Sequence, residues 1–233
     1  MKRSPVSMLL AGLLILTCVG TAFAGNPNPG VIPNEGPKYA SLGAEWWQWA
    51  FSFPAEDVPY FNTGGPVDIG AHQSGNVWFL AGANYGLTEP RTGEVPTGTF
   101  LFFPLANLIN DYPCPPEFGF EPPPGETLEN FLQRTGREVM DYYVDPEDPF
   151  VEIDGAALDD LSVYRATSSL FEFQADPALV SFDPCITGTV QSGVADGYWL
   201  LLPPLTPGVH TLHFGALSWG QDVTYVLTVK PGR

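Results

Sequence analysis

The sequence predicts a mainly β protein: a β-sandwich with an amphipathic helix at its front and a second helix inserted among the strands. Short segments rich in β-branched and aromatic residues recur along the chain, bounded by Gly, Pro, Asn and Asp. Gly and Pro each number 25 in 233 residues, which fits a chain with many turns. Only two stretches place apolar residues at helical spacing, so helices are the minority element.

The N-terminus resembles an export signal. Lys2 and Arg3 precede an apolar run at 8–20 that is short for a membrane span, and the A-x-A pattern at 22–24 is typical of a cleavage site. We therefore expect residues 1–24 to be a signal peptide and the mature protein to be exported to the periplasm, the cell surface or the medium.

The rest of the chain divides into a tail and one domain. Residues 25–38 are rich in Pro, Gly and Asn without periodicity, which predicts an N-terminal tail. Residues 39–231 contain no composition shift that would mark a boundary, so we expect a single β-sandwich domain there. No stretch after the signal is apolar enough to form a transmembrane segment.

The first helix is predicted over 39–53. Its apolar residues recur at three- and four-residue spacing, as on one face of a helix, and Pro54 favours an end to the helix at the residue before it. The stripe consists of Leu42, Trp46, Trp49 and Phe53.

The strands follow from about residue 75, and a second helix interrupts them. That helix is predicted over 126–143, where apolar residues again share one side and Thr127 can cap the N-terminus. Alternation is clearest in the last two segments, as in a half-buried strand. The predicted strands are 76–82, 99–106, 150–154, 162–166, 169–174, 197–203, 209–217 and 223–230.

Several sequence blocks resemble a family of exported bacterial proteins of unknown function. They are "WWQW", "WFLAG", "LFFP", the "PGVHTL" form of PG-x-H-x-L and the "DVTYVLTV" form of DVTY-x-LTV, spread over most of the chain after the signal. The end of the chain is also similar to the last two strands of bacterial immunoglobulin-like sandwiches. The resemblance implies an exported, immunoglobulin-like or jelly-roll-like β-sandwich, and it brings no activity and no functional residues.

Charge limits the partners. The chain carries 26 acidic and 9 basic residues, for a net charge of −17. Such a surface repels nucleic-acid phosphates, so we expect no nucleic-acid partner.

Cys114 and Cys185 are the two cysteines that remain after the signal. Two cysteines in an exported chain most simply form one disulfide, and no C-x-x-C spacing points to redox chemistry.

The tryptophans of the first helix have two interpretations. Helical spacing favours core packing for Trp46 and Trp49, whereas Trp47 lies at the border of the stripe and is expected to be the most exposed of the three. An exposed indole can stack on the apolar face of a sugar. Trp47, with Gln48 and Glu45 beside it on the polar face, is therefore the candidate ligand-binding site for a glycan or protein partner.

The acidic segment 141–160 is a candidate calcium site. Calcium takes six to eight oxygen ligands, and Asp145, Asp148 and Asp154 are the selected carboxylates. The EF-hand order of ligands is absent, so the alternative is a solvated acidic surface. We expect no other cofactor.

Catalytic motifs are not found. The segments around Ser74 and Ser192 lack the spacing of a nucleophile elbow, and His210 and His213 lie on opposite faces of one predicted strand. We expect His210 to lie at the core edge, bonded to a backbone carbonyl, and His213 to be exposed. The favoured function is a non-enzymatic exported binding or structural domain. The alternative is an extracellular hydrolase that uses paired carboxylates in a concave site, with or without calcium.

Overall fold

A computed structural model describes residues 30–83 and 86–230. The predicted signal peptide and the first part of the predicted tail lie outside these residues. In the described part, the chain forms two helices and eleven strands in two sheets that pack together as a β-sandwich, so the predicted fold class is confirmed. None of the helices in these two ranges is long and apolar enough to span a membrane.

The first helix, α1, spans Pro37–Ala50 and is shorter at its C-terminus than the predicted 39–53. Phe51 closes it by donating its N–H to the Trp47 carbonyl, and the chain then turns toward Pro54. The second helix, α2, spans Leu128–Tyr143. The Thr127 hydroxyl accepts the Asn130 N–H at 3.2 Å, so the predicted cap is confirmed.

The first sheet has six strands in the order β1-β3-β11-β10-β5-β6. The strand β3 pairs in parallel with both β1 and β11, and the other neighbours are antiparallel. The predicted strand pattern did not include β1, β3 or β6. The strands are β1 Gly65–Pro66, β3 Arg91–Pro96, β5 Phe150–Ile153, β6 Ala156–Ala157, β10 Gly208–Ala216 and β11 Gln221–Lys230.

The second sheet has the order β2-β4-β9-β7, and β8 pairs with another part of β9. The predicted strand at 162–166 is half wrong, because Leu161–Tyr164 forms a 3-10 helix and only the next three residues are extended. The strands are β2 Val77–Phe79, β4 Phe100–Tyr112, β7 Arg165–Thr167, β8 Phe171–Phe173 and β9 Gln191–Leu202.

The second sheet is covered on both faces. On one face, α1 packs against it: the Tyr39 hydroxyl accepts the Leu201 N–H at 3.2 Å, and its ring lies 5.8 Å from that of Phe102. On the other face, Phe103 contacts Phe214 of the first sheet with ring centroids 4.4 Å apart. This second face continues beyond the first sheet, where α2 covers it through a small cluster of Phe131, Leu132 and Val194.

Residues 30–36 do not form a free tail. Val31 is buried in the core, and the Ile32 N–H donates to the Leu201 carbonyl at 3.0 Å. The Asn34 side chain donates to the carbonyls of Val163 and Arg165. The prediction of a tail over 25–38 is therefore wrong for its described part, which packs along the second sheet.

The strand β4 has one open edge. It pairs with β9 along nearly its whole length, but β2 covers its other side only as far as Phe102. In the described ranges, no strand pairs with that side beyond this point. A β-bulge between Pro104 and Ala106 lies where the edge opens. Side chains from elsewhere in the chain satisfy part of this edge, and they line a cavity beside it.

Candidate functional site

The three tryptophans of α1 are all buried. Relative exposure is 1% for Trp46, 5% for Trp47 and 8% for Trp49, so the core interpretation is confirmed and a partly exposed Trp47 platform is wrong. The indole N–H of Trp47 donates to the Leu108 carbonyl on the open edge of β4 at 3.1 Å. Trp47 lies at the edge of the apolar stripe of α1, and it is buried because Tyr60 of the 3-10 turn at Pro59–Phe61 packs against its ring.

Gln48 and Glu45 are exposed, as expected for the polar face of α1. The Gln48 amide donates to the Glu172 carbonyl at 2.8 Å, and Glu45 accepts the Ser41 hydroxyl at 2.9 Å. Because Trp47 is directed inward, these two side chains do not form a site with it.

The predicted calcium ligands lie apart. Asp145 accepts the Glu147 N–H, Asp148 accepts the N–H and hydroxyl of Ser218, and Asp154 accepts the Thr211 N–H and contacts His210. Their carboxylate oxygens do not come within 4.8 Å of one another as a group of three in the described ranges. These carboxylates anchor separate turns, and they do not form the predicted calcium site.

The histidines also serve local structure. His210 Nε2 lies 2.8 Å from the Thr206 carbonyl, so the expected backbone contact is confirmed, and its Nδ1 lies 2.8 Å from Asp154. His213 is half-buried and lies beside Asp222. The ring of His72 stacks on Phe53, with centroids 4.1 Å apart.

Cys114 and Cys185 form the predicted disulfide. The bond joins the segment that follows β4 to the loop that carries Phe182 and Asp183. Asp111 lies beside the two sulfurs, which as disulfide atoms are not available to a metal.

A cavity of about 450 Å³ lies against the open edge of β4. This volume is within the range of small-molecule sites in proteins. Trp46 and Trp47 of α1 form one side, the C-terminal end of α2 forms another, and the turn between β10 and β11 forms a third. The lining includes Trp46, Trp47, Tyr60, Asn107, Tyr143, Phe182, Asp183, Ser218, Trp219 and Gln221.

Two buried polar side chains in this lining have no hydrogen-bond partner among the described residues. They are the hydroxyl of Tyr60 and the side-chain amide nitrogen of Asn107. Tyr60 is 5% exposed, and the rings of Trp46, Trp47 and Phe182 surround it. Leaving a buried donor unpaired costs about 1–3 kcal/mol. The two atoms are themselves shielded from solvent, although both residues belong to the cavity lining, so a molecule in the cavity reaches these groups only when their side chains shift.

Asp183 adds a carboxylate to the lining. Its Oδ1 accepts the Cys185 N–H at 2.9 Å, and burial raises the pKa of this carboxyl above its ordinary value. Behind it, Asp111 is 3% exposed and accepts from the Gln191 amide at 2.5 Å. Burial raises the pKa of Asp111 to about 8, and the nearby Asp183 acts in the same direction. Asp183 is the one carboxylate of the pair that lines the cavity.

Gln221 lines the cavity beside the bulge of β4. Its side-chain amide donates to the carbonyls of Pro104 and Leu105, at 2.7 and 2.8 Å. These two carbonyls lie at the bulge of β4, beyond the end of its pairing with β2, so Gln221 provides the donor that a neighbouring strand would otherwise supply. Gly82 makes room for this side chain, because a Cβ at that position would lie 2.1 Å from the Gln221 Oε1.

Aromatic side chains form the mouth. The rings of Tyr143 and Trp219 meet edge-on with centroids 6.3 Å apart, and Tyr143 is 55% exposed. Such rings offer apolar faces to a ligand at the entrance. The site thus combines an aromatic mouth with an interior hydroxyl, amide and carboxylate, a set that can hydrogen-bond a neutral, polyhydroxylated molecule.

Sequence reasoning missed this site except for Trp47. Tyr60, Asn107, Asp183 and Gln221 are far apart in the sequence, and none belongs to a local motif. The available signal was indirect: a Tyr between aromatic and Pro residues in "VPYF", and an Asn inside an otherwise apolar strand segment.

Comparisons with known proteins do not name a relative: no family model, no curated protein and no solved structure matches the chain.

Proposed function

We propose that this protein is an exported, non-enzymatic binding protein that holds a sugar unit of a glycan in the cavity beside β4. The observation that carries the proposal is the pair of unpaired buried donors, Tyr60 and Asn107, in a cavity with an aromatic mouth. A sugar hydroxyl can both donate and accept, so it can satisfy these two groups and the Asp183 carboxylate at once. Tyr143 and Trp219 would then stack on the next unit of the chain.

Binding is favoured over hydrolysis by the arrangement of the carboxylates. A glycosidase places two carboxyl groups on either side of the scissile bond. In the described ranges, Asp183 is the only carboxylate in the cavity lining, and its neighbour Asp111 lies behind it and is bonded to Gln191. The second acid of a hydrolytic pair therefore has no place on the ligand side.

Two features support export. The N-terminal sequence has the three parts of a signal peptide. The Cys114–Cys185 disulfide fits an oxidising compartment, since such bonds are rare in the cytosol. Export also agrees with the resemblance of the sequence blocks to exported bacterial proteins.

The test is a titration of the purified protein with a panel of monosaccharides and oligosaccharides, followed by tryptophan fluorescence and calorimetry. We expect at least one glycan to change both signals, and Tyr60→Phe and Asn107→Leu each to weaken its binding tenfold or more. Gln48→Ala, which alters the exposed face of α1, is the matched control and should bind normally. The proposal fails if no glycan binds, or if both cavity variants bind as tightly as the parent protein.

A further inference from the structure

A second cavity, also of about 450 Å³, lies between the C-terminal end of α1, the 54–72 loop and the first sheet. It is separate from the cavity beside β4 and shares none of its lining residues, so binding here is independent of the proposed glycan site. Most of its walls are apolar, and they are formed by Trp49, Phe53, Val67, Ile69, Phe79, Leu80 and Ala81.

A buried cation borders this cavity. The Arg91 side chain is 1% exposed, and every acceptor it contacts is neutral: the carbonyls of Ala81 and Gly82 at 2.9 Å, the Tyr225 hydroxyl at 2.9 Å, and both oxygens of Asn62. Within residues 30–83 and 86–230, no carboxylate lies within 4.0 Å of it. Buried arginines are normally paired with an anion, because an unpaired buried charge costs several kcal/mol.

The guanidinium retains hydrogen-bonding capacity. Its Nη2 carries two N–H groups but donates to a single acceptor among the described residues, the Asn62 carbonyl at 2.6 Å. The half-buried Arg165 provides a contrast, since it is ion-paired with both Asp141 and Asp196. Arg91 is therefore a charge fixed in place by neutral groups, and one of its N–H groups has no acceptor among the described residues.

The rim carries the opposite charge. Asp57 and Asp68 are both exposed and both belong to the lining. Asp68 uses Oδ1 to accept the Gly70 N–H at 3.0 Å, so its second oxygen can accept from a ligand. His72 lies at the same rim, fixed by the Ser52 hydroxyl at 2.8 Å. The two rim carboxylates repel a polyanion such as phosphate and attract a cationic group.

We propose that this cavity binds a small zwitterion of the amino-acid class with an apolar side chain. Its carboxylate bonds the free N–H of Arg91, its ammonium group lies toward Asp57 and Asp68, and its side chain packs on the ring of Trp49 and the aliphatic wall. The ligand carboxylate compensates the positive charge of Arg91, and the ligand ammonium group is attracted by the carboxylates of Asp57 and Asp68 at the rim. The volume of the cavity is sufficient for such a molecule.

Three related probes test the proposal on the unmodified protein. L-phenylalanine carries both charges, 3-phenylpropionate lacks the ammonium group, and 2-phenylethylamine lacks the carboxylate. In calorimetric titrations, L-phenylalanine should bind at least tenfold more tightly than 3-phenylpropionate, and 2-phenylethylamine should give no measurable binding. Equal affinities for the three probes, binding of the amine alone, or no binding of any of them would overturn the proposal.

Variants locate the binding. Asp57→Asn combined with Asp68→Asn should reduce the preference for L-phenylalanine over 3-phenylpropionate at least fivefold, and the exposed neighbour Glu56→Gln should leave it unchanged. Ala71→Leu narrows the cavity and should abolish binding while the protein stays folded by circular dichroism. Arg91→Met is informative only if it folds, so the rim and wall variants decide where the ligand binds. Unchanged binding in Ala71→Leu and in the rim double variant would place the ligand elsewhere.

Discussion

The indole N–H of Trp47 donates to the backbone carbonyl of Leu108 across 3.1 Å, which joins α1 to the open edge of β4. Trp46 and Trp49 make equivalent bonds to the carbonyls of Leu80 and Ala71. We expect Trp47→Phe to lower the free energy of unfolding by about 1 kcal/mol, the net value of one hydrogen bond. Each Trp→Ala variant should cost about 3–5 kcal/mol, because a large buried ring is removed.

Urea unfolding followed by circular dichroism measures these effects. Gln48→Ala, on the exposed face of the same helix, should cost less than about 1 kcal/mol, as most surface substitutions do. If Trp47→Ala were as mild as Gln48→Ala, the indole would not be part of the core.

Tyr60 and Tyr39 allow a matched comparison of two buried hydroxyls. The Tyr60 hydroxyl has no partner among the described residues, whereas Tyr39 donates to the Ile32 carbonyl at 2.5 Å and accepts the Leu201 N–H. Tyr60→Phe should therefore raise the free energy of unfolding by roughly 1 kcal/mol, and Tyr39→Phe should lower it by about 1–3 kcal/mol.

Thermal and chemical unfolding of the two variants decide the comparison. A stabilised Tyr60→Phe protein that has also lost glycan binding would identify the hydroxyl as a group kept for the ligand at a cost in stability. A Tyr60→Phe protein that is clearly less stable than the parent would mean that the hydroxyl is satisfied within the fold.

Asp111 makes stability depend on pH. Burial raises its pKa from 3.8 to about 8. Between these two values, the folded protein holds a proton that the unfolded chain has released, so stability falls as the pH rises through this window and levels off above it. The expected slope from one proton is at most about 1.4 kcal/mol per pH unit, and the raised pKa of Asp183 acts in the same direction.

Asp111→Asn removes the titrating group but keeps an oxygen that can accept from Gln191. We expect this variant to be more stable than the parent at pH 8. Its free energy of unfolding should also change less with pH between pH 5 and pH 8, because about one proton no longer dissociates on unfolding. Asp145→Asn, at an exposed turn, is the control. An unchanged slope in Asp111→Asn would show that this carboxyl is already ionised at low pH.

Arg165 compensates a buried carboxylate. Asp196 is fully buried, and Arg165 lies 2.7 Å from it, while the same arginine also pairs with the largely exposed Asp141. Arg165→Met leaves Asp196 charged and unpaired, which should cost about 3–5 kcal/mol. Asp141→Asn removes only the exposed partner and should cost less than about 1 kcal/mol. Equal costs for the two variants in urea unfolding would contradict this assignment.

Periodicity predicted most of the fold because it reports burial directly. In β11, Val223, Tyr225, Leu227 and Val229 are all buried, as their alternation predicts, and the Thr127 cap marks the start of α2 within two residues. The strand β3 was missed because its sequence, "RTGEVP", is polar and contains Gly and Pro. Its pairing is parallel to β11, more than a hundred residues away, so no local pattern reports it.

The site was harder to predict than the fold, since it is assembled from distant segments. Helical spacing explains the burial of Trp46 and Trp49, but Trp47 is buried because Tyr60, from the next turn, packs against it. In the same way, Asn107 and Asp183 meet at one cavity because β4 and the disulfide-linked loop are brought together by the sheet. A periodic pattern reports which face of a single helix or strand is buried. It does not indicate which side chains of different elements come into contact.

The open edge of β4 also bears on self-association. An exposed strand edge is a template on which another chain can add a strand, and long uncovered edges promote aggregation. Here three carbonyls of that edge, those of Pro104, Leu105 and Leu108, accept hydrogen bonds from Gln221 and Trp47, which also line the cavity. Enlarging the cavity by shortening these two side chains would therefore expose the edge to strand addition by another chain.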